Sequence, residues 1–91
     1  MKNDKVAKAW ALSMAASSHN GNFRTDGYWL WSYDLVIGCT VSGEKILAEY
    51  RSRKSGEFVS MTTSTHVGKA LVYCKMTVHP AFFRLSLLPR N

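Results

Sequence analysis

Near the N-terminus, apolar side chains recur every four residues. Val6, Trp10 and Met14 form one stripe with Ala7 and Ser17 alongside, and Lys5 and Lys8 fall off it. This spacing predicts an amphipathic helix over residues 5–17, capped by Asn3 or Asp4 through a side-chain oxygen offered to the first free amides. The helix is expected to end near Ser17-Ser18, ahead of the turn-forming run His19-Asn20-Gly21-Asn22. From residue 28 the period becomes two, and residues 28–62 read as antiparallel strands. Tyr28 to Tyr33 is aromatic and strand-prone and places Trp29, Trp31 and Tyr33 on one face. Asp34 marks a bend or bulge, and Leu35 to Val41 forms the next run. Ser42-Gly43 supplies a tight hairpin, after which Ile46, Ala48 and Tyr50 alternate along a third strand. A second Ser-Gly pair, Ser55-Gly56, turns the chain into Phe58 to Thr62. A second helix is expected to start inside Thr62-Thr63-Ser64-Thr65, with Val67, Ala70, Leu71 and Cys74 on one face. Pro80 is expected to stop anything helical. The apolar end, Ala81 to Leu88, reads as an edge strand or a segment over the core.

These elements predict an α+β fold in one domain over residues 1–91. An antiparallel meander of three to four strands is packed by an N-terminal helix and a second helix, and a short apolar C-terminal tail follows. Ninety-one residues leave no room for a second core. The first helix needs a partner for Val6, Trp10 and Met14, and the large face of Trp29 and Trp31 suits that purpose. The favoured position of the two indoles is therefore beneath the helices, with Tyr28, Leu30 and Ser32 on the other side. Exposed instead, the same stripe would be a stacking platform for single-stranded nucleic acid.

Charge changes the picture. The net charge is +6, and it is uneven: every acidic residue lies at or before Glu57, leaving +2 on residues 1–57 and +4 on residues 58–91. Such a half attracts polyanions, whether nucleic acid or an acidic protein face. Arg51, Arg53 and Lys54 crowd the tip around Ser55-Gly56, and Lys69, Lys75 and Arg84 supply the later positive charge; these six are the candidate binding residues. No window approaches the length of a membrane span, so a membrane partner is not expected. The charged first turn, Lys2 to Lys5, gives way to an amphipathic stretch, which predicts a reducing, cytosolic compartment.

The strongest local pattern is Phe58-Val59-Ser60-Met61-Thr62-Thr63-Ser64-Thr65-His66. Together with Gly27, Ser32-Tyr33, Leu35 and Ile37-Gly38 upstream, it resembles a small domain found in proteins of tailed bacteriophages. There a Ser-Tyr strand is followed by a Thr-Thr-Ser-x-His entry into a helix. The resemblance covers about residues 27–68. It implies a small phage accessory protein of unassigned activity, at work in the cytoplasm of an infected bacterial host, and it carries over no catalytic residues.

Read chemically, the Ser/Thr run is a helix start where Ser64, Thr65 and His66 could receive a phosphate or carboxylate, with Lys69 one turn on. An ordinary hydroxyl cap is the simpler reading. Ser60, His66 and Asp26 could be drafted as a hydrolytic trio, yet there is no nucleophile elbow and no glycine-rich phosphate loop. His19, Cys39, His66, Cys74 and His79 match no structural zinc spacing, so neither a metal nor another cofactor is expected. The expected function is stoichiometric binding. The protein would inhibit or modulate a host protein or nucleoprotein complex that handles nucleic acid, such as RNA polymerase, a nuclease or a CRISPR complex. The alternative is direct binding of nucleic acid by the basic surface. A homodimer through an open sheet edge or the tail is compatible with either.

Overall fold

The N-terminal helix is shorter than its apolar stripe suggests. In the computed structural model, which describes residues 2–51 and 59–86, α1 covers Asn3–Ala11. Asn3 and Asp4 lie inside its first turn rather than capping it, and the cap position, Lys2, makes no side-chain cap bond. The far end is closed by Ser13 in the left-handed region at φ 58°. Ser13 N–H donates to the Trp10 carbonyl at 3.0 Å and Met14 N–H to that of Ala9 at 2.8 Å, which satisfies the carbonyls a helix end leaves open. This turn is seated on Gly27, where a Cβ would lie 2.7 Å from the Ser13 carbonyl oxygen and where φ is +97°. Met14, expected on the buried stripe, is therefore exposed, and Ala15–Ser17 forms strand β1 instead of a last helical turn.

Strands β2 (Phe23–Asp26), β3 (Leu30–Ser32), β4 (Leu35–Val41) and β5 (Glu44–Ala48) follow, each antiparallel to its neighbour. Two tight turns join the last three. Tyr33, at φ 56°, opens the first; Ser42 and Gly43, at 51° and 80°, make the second, the positive pair that matches hairpin twist. Helix α2 spans Met61–Leu71 and starts at Ser60, whose Oγ accepts from Thr63 N–H at 3.1 Å. It carries the chain to β6 (Met76–Val78), which pairs parallel with β5, as a helical crossover allows. Helix α3 (Pro80–Ser86) ends the described chain.

The α+β class is as expected, with, among the described residues, six strands in the order β1 to β6 and one parallel pair where a shorter antiparallel meander was expected. Met61 and Thr62, expected in a strand, open α2, and Phe58 lies outside the described residues. Pro80 begins a helix rather than stopping one, since the first helical position needs no amide donor. The tail is helical through Ser86, and Phe83 is buried in the core.

Alternation along the strands sets two faces. Phe23, Thr25, Leu30, Ser32, Lys45 and Leu47 are buried on the face that α1 and α2 cover with Val6, Ala7, Trp10, Thr63, His66, Val67 and Ala70. Trp29 and Trp31, expected there, are only half-buried, and Tyr33 is exposed. Leu30 and Ser32 hold the interior instead. On the opposite face Cys39 and Ala48 are buried, joined in the core with Tyr50 and Phe83. The part of that face built by β1, β2 and β3 stays open, with Ala15, Ser17 and Asp26 exposed and Arg24 and Trp31 half-buried.

Candidate functional site

The Ser-Tyr strand and the Thr-Thr-Ser-x-His helix meet inside the protein. Ser32 Oγ lies 2.6 Å from His66 Nδ1 and 3.0 Å from Thr63 Oγ1, and all three side chains are buried. The His66 ring stacks on Phe23 with centroids 4.4 Å apart and planes 4° from parallel. Burial pushes the His66 pKa down, because a charged imidazolium would lose its water here. The motif thus ties β3 to α2 by a polar contact under the sheet. Because α2 begins at Met61, Ser64, Thr65 and His66 sit in its second turn and do not frame an anion site at the helix start. Thr65 Oγ1 donates back to the Met61 carbonyl at 3.0 Å. Ser60, His66 and Asp26 do not assemble as a trio: Ser60 is the helix cap, and Asp26 Oδ1 accepts from the amides of Tyr28 and Trp29.

The candidate cations are not gathered into one surface. Arg51 grips Glu49 through two bonds of 2.7 Å, which hold the Glu49 carboxyl below its ordinary range and raise the Arg51 pKa. Lys69 pairs with Asp4 across the two helices at 3.2 Å, and Lys75 reaches Glu44 at 4.0 Å. Arg84 is exposed on α3. Arg53 and Lys54 lie outside the described residues.

A different cation is buried. Lys45 is 5% exposed, and its ammonium donates to Ser13 Oγ at 3.1 Å, the Gly27 carbonyl at 2.9 Å and Thr40 Oγ1 at 2.7 Å. It also lies 5.5 Å from the centre of the Trp10 ring. Burial lowers its pKa, and Asp26 opposes that. All three ammonium protons are used, so Lys45 locks the α1 end and the Gly27 turn to β4 and β5 rather than offering charge to a ligand.

The open face carries the arrangement most suited to a partner. The Arg24 guanidinium sits 5.1 Å from the centre of the Trp31 ring and is held there by a 2.6 Å bond from Nη1 to the Tyr33 carbonyl and by Asp34 at 3.8 Å. Beside this pair runs a groove of about 490 Å³, lined by Ala15, Ala16, Ser17, Arg24, Thr25, Asp26 and Trp31. Arg24 was not among the candidate residues. The signal was the alternation Phe23-Arg24-Thr25-Asp26, which puts the two charges together on one face once residues 23–26 are read as a strand. Among the described residues no three His, Cys, Asp or Glu side chains come together as a metal set, and no helix is long and apolar enough to cross a membrane. Compared with known proteins, the chain matches no family model, no curated protein sequence and no solved structure.

Proposed function

We propose that the protein acts by occupancy, binding a partner through the open sheet face around Trp31 and Arg24 and catalysing no reaction. The observation that carries this reading is the Arg24 guanidinium seated over the Trp31 indole at the rim of the groove. Tryptophan and arginine are the residue types that contribute most at protein interfaces. Arg24 is already fixed by Tyr33 and Asp34, so it loses little freedom when a partner docks. A protein partner is favoured over a phosphate backbone because Arg51, Lys69 and Lys75 each face a carboxylate of their own chain, on separate elements.

The phage resemblance supplies the setting: an accessory protein in the cytoplasm of an infected bacterial host. The partner is then a host protein or nucleoprotein complex that handles nucleic acid. A net charge of +6 suits an acidic patch on such a machine and is the wrong sign for mimicry of DNA. One observation favours direct nucleic-acid binding as a second reading: a partly exposed indole beside a cation can also stack an unpaired base.

Two measurements separate the readings. Affinity capture from host lysate after nuclease treatment should retain a protein partner. A salt titration against generic DNA and RNA, with the wild type beside the Arg24→Gln variant, should find only weak binding in both. Tight, salt-sensitive binding by the wild type that the variant loses would establish the second reading instead.

A further inference from the structure

The turn after β3 is held in a conformation that its residue resists. Tyr33 sits in the left-handed region at φ 56°, an outlier for so bulky a side chain. Three tethers keep it there. Its N–H donates to the Asn22 carbonyl at 2.6 Å, and its carbonyl accepts from Arg24 Nη1 at 2.6 Å. The Oγ of the preceding Ser32 lies 2.6 Å from His66 Nδ1. Strained backbone persists only where its surroundings over-determine it, and it is common in switch regions. Residues 31–33 thus join two sites on opposite sides of the sheet. His66 lies on the buried side, and the Trp31–Arg24 pair on the open one.

We infer that His66 is a proton-operated latch for the Trp31–Arg24 face: the neutral ring keeps the Tyr33 turn closed and Arg24 fixed, and the protonated ring releases both. As regulation, this rests on the reading of that face as the binding surface. A neutral imidazole offers Nδ1 as an acceptor for the Ser32 hydroxyl, and Thr63 and Ser60 continue the chain of hydroxyls at 3.0 and 3.2 Å. An imidazolium has donors at both nitrogens, so Ser32 must turn its proton toward Thr63 and the chain must reverse. The new charge also needs water. Phe23, stacked on the ring, and Ser32 and Thr63 are buried, whereas Tyr33, 6.2 Å from the ring centre, is exposed. Tyr33 is therefore the wall that yields, and relief of its backbone strain favours the same movement. Its carbonyl then leaves Arg24 Nη1, and the guanidinium over the indole is left to the exposed Asp34 at 3.8 Å.

Surrounding charges do not oppose this sign. Burial is the cause of the lowered His66 pKa, and Tyr33 is the one other titratable side chain against the ring among the described residues. Asp4 of α1 pairs with Lys69 of α2, while Lys5, Lys8 and His19 are exposed. Arg24 and Asp34 pair with each other. The latch is therefore closed above the folded pKa of His66 and opens as pH falls through it. By linkage, a partner that needs Arg24 fixed binds the neutral form more tightly and lowers the His66 pKa further.

The test is an NMR titration of the full chain from about pH 7.5 to about pH 4.5, a range that brackets histidine protonation. It reads the His66 ring, the Trp31 indole N–H and the Overhauser contacts between Arg24 and the indole, with core methyl signals as the check on folding. No partner is needed, so a failed latch leaves the binding reading intact. The expected result is that the Trp31 signal shifts with the midpoint of His66 and that the Arg24 contacts are lost through the same step. His66→Phe keeps the stack on Phe23 and should abolish the step. Tyr33→Gly takes the left-handed region without strain, so His66 should titrate while Trp31 and Arg24 no longer follow it. Ser32→Ala cuts the tether without adding charge and should release Arg24 already at the upper pH. Should the wild type unfold before His66 titrates, Ser32→Ala decides alone. Arg24 contacts that persist through the His66 midpoint overturn the inference, as does a step that survives in His66→Phe and so belongs to Asp34. A folded Ser32→Ala protein with Arg24 still seated over Trp31 also overturns it.

Discussion

Trp10 lies so close over Gly38 that a Cβ on residue 38 would stand 2.9 Å from the indole Cζ2 and 3.2 Å from the Leu30 Cβ. The ring has no room to retreat, because its Nε1 donates to the Tyr28 carbonyl at 3.2 Å and the Lys45 ammonium sits near its face. Gly38→Ala should therefore destabilise by about 1–3 kcal/mol through overpacking, and Trp10→Ala by about 3–5 kcal/mol through lost burial. Trp10→Phe should recover part of the Gly38→Ala loss. Urea unfolding of the singles and the double checks this, and strictly additive effects would show that the two sites do not touch energetically.

His66 gives stability a pH dependence of defined sign. Its folded pKa lies below the ordinary value near 6.5. Between the two values the unfolded chain holds more protons, so stability is fully present above about pH 6.5 and is lost as pH falls from there toward the folded pKa. The Glu49 carboxyl, also lowered, adds a loss that begins only near the ordinary carboxylate range of about 4.3. Unfolding at pH 7.5 and pH 5 should show the decline in the wild type. His66→Phe, which keeps the stack on Phe23, should flatten it.

Lys45 should tolerate no simple truncation. Lys45→Met keeps most of the stem but leaves the Gly27 carbonyl and the Ser13 hydroxyl without their donor. An unsatisfied buried acceptor costs about 1–3 kcal/mol, so thermal unfolding should show a loss of that order. Loss of amide protection should concentrate at residues 13–14 and 27–28. A variant as stable as the parent would mean that the ammonium's desolvation cost cancels its three bonds.

The hairpin at Ser42-Gly43 was legible because its signal is local; a second helix was legible too, but its cap is Ser60, ahead of the Thr62 to Thr65 run expected to start it. The end of α1 was not: Ala15 to Ser17 suit a helix by composition, and only the seat of Ser13 on Gly27 turns the chain. The parity of Trp29-Leu30-Trp31-Ser32 was hidden for a related reason. Both of its faces look apolar, and the deciding group is Ser32, whose buried hydroxyl meets Thr63 and His66, 31 and 34 residues away. The groove followed from that parity, so misplacing the indoles concealed Arg24 as well. Strand β6 depends on a parallel pairing reached through α2, which no short-range pattern in Met76 to Val78 announces.

The central claim is that Trp31 and Arg24 serve a partner rather than the fold. The most direct test is capture from nuclease-treated lysate of the proposed bacterial host by the wild type and by Trp31→Ala, with melting curves for both. Trp31 is only half-buried on the open face, so its truncation should cost far less stability than Trp10→Ala, leaving a folded protein at the assay temperature. The account predicts that this folded variant loses the partner that the wild type retains, by at least tenfold in affinity. A Trp31→Ala protein that stays folded and captures the same partner with unchanged affinity would contradict it.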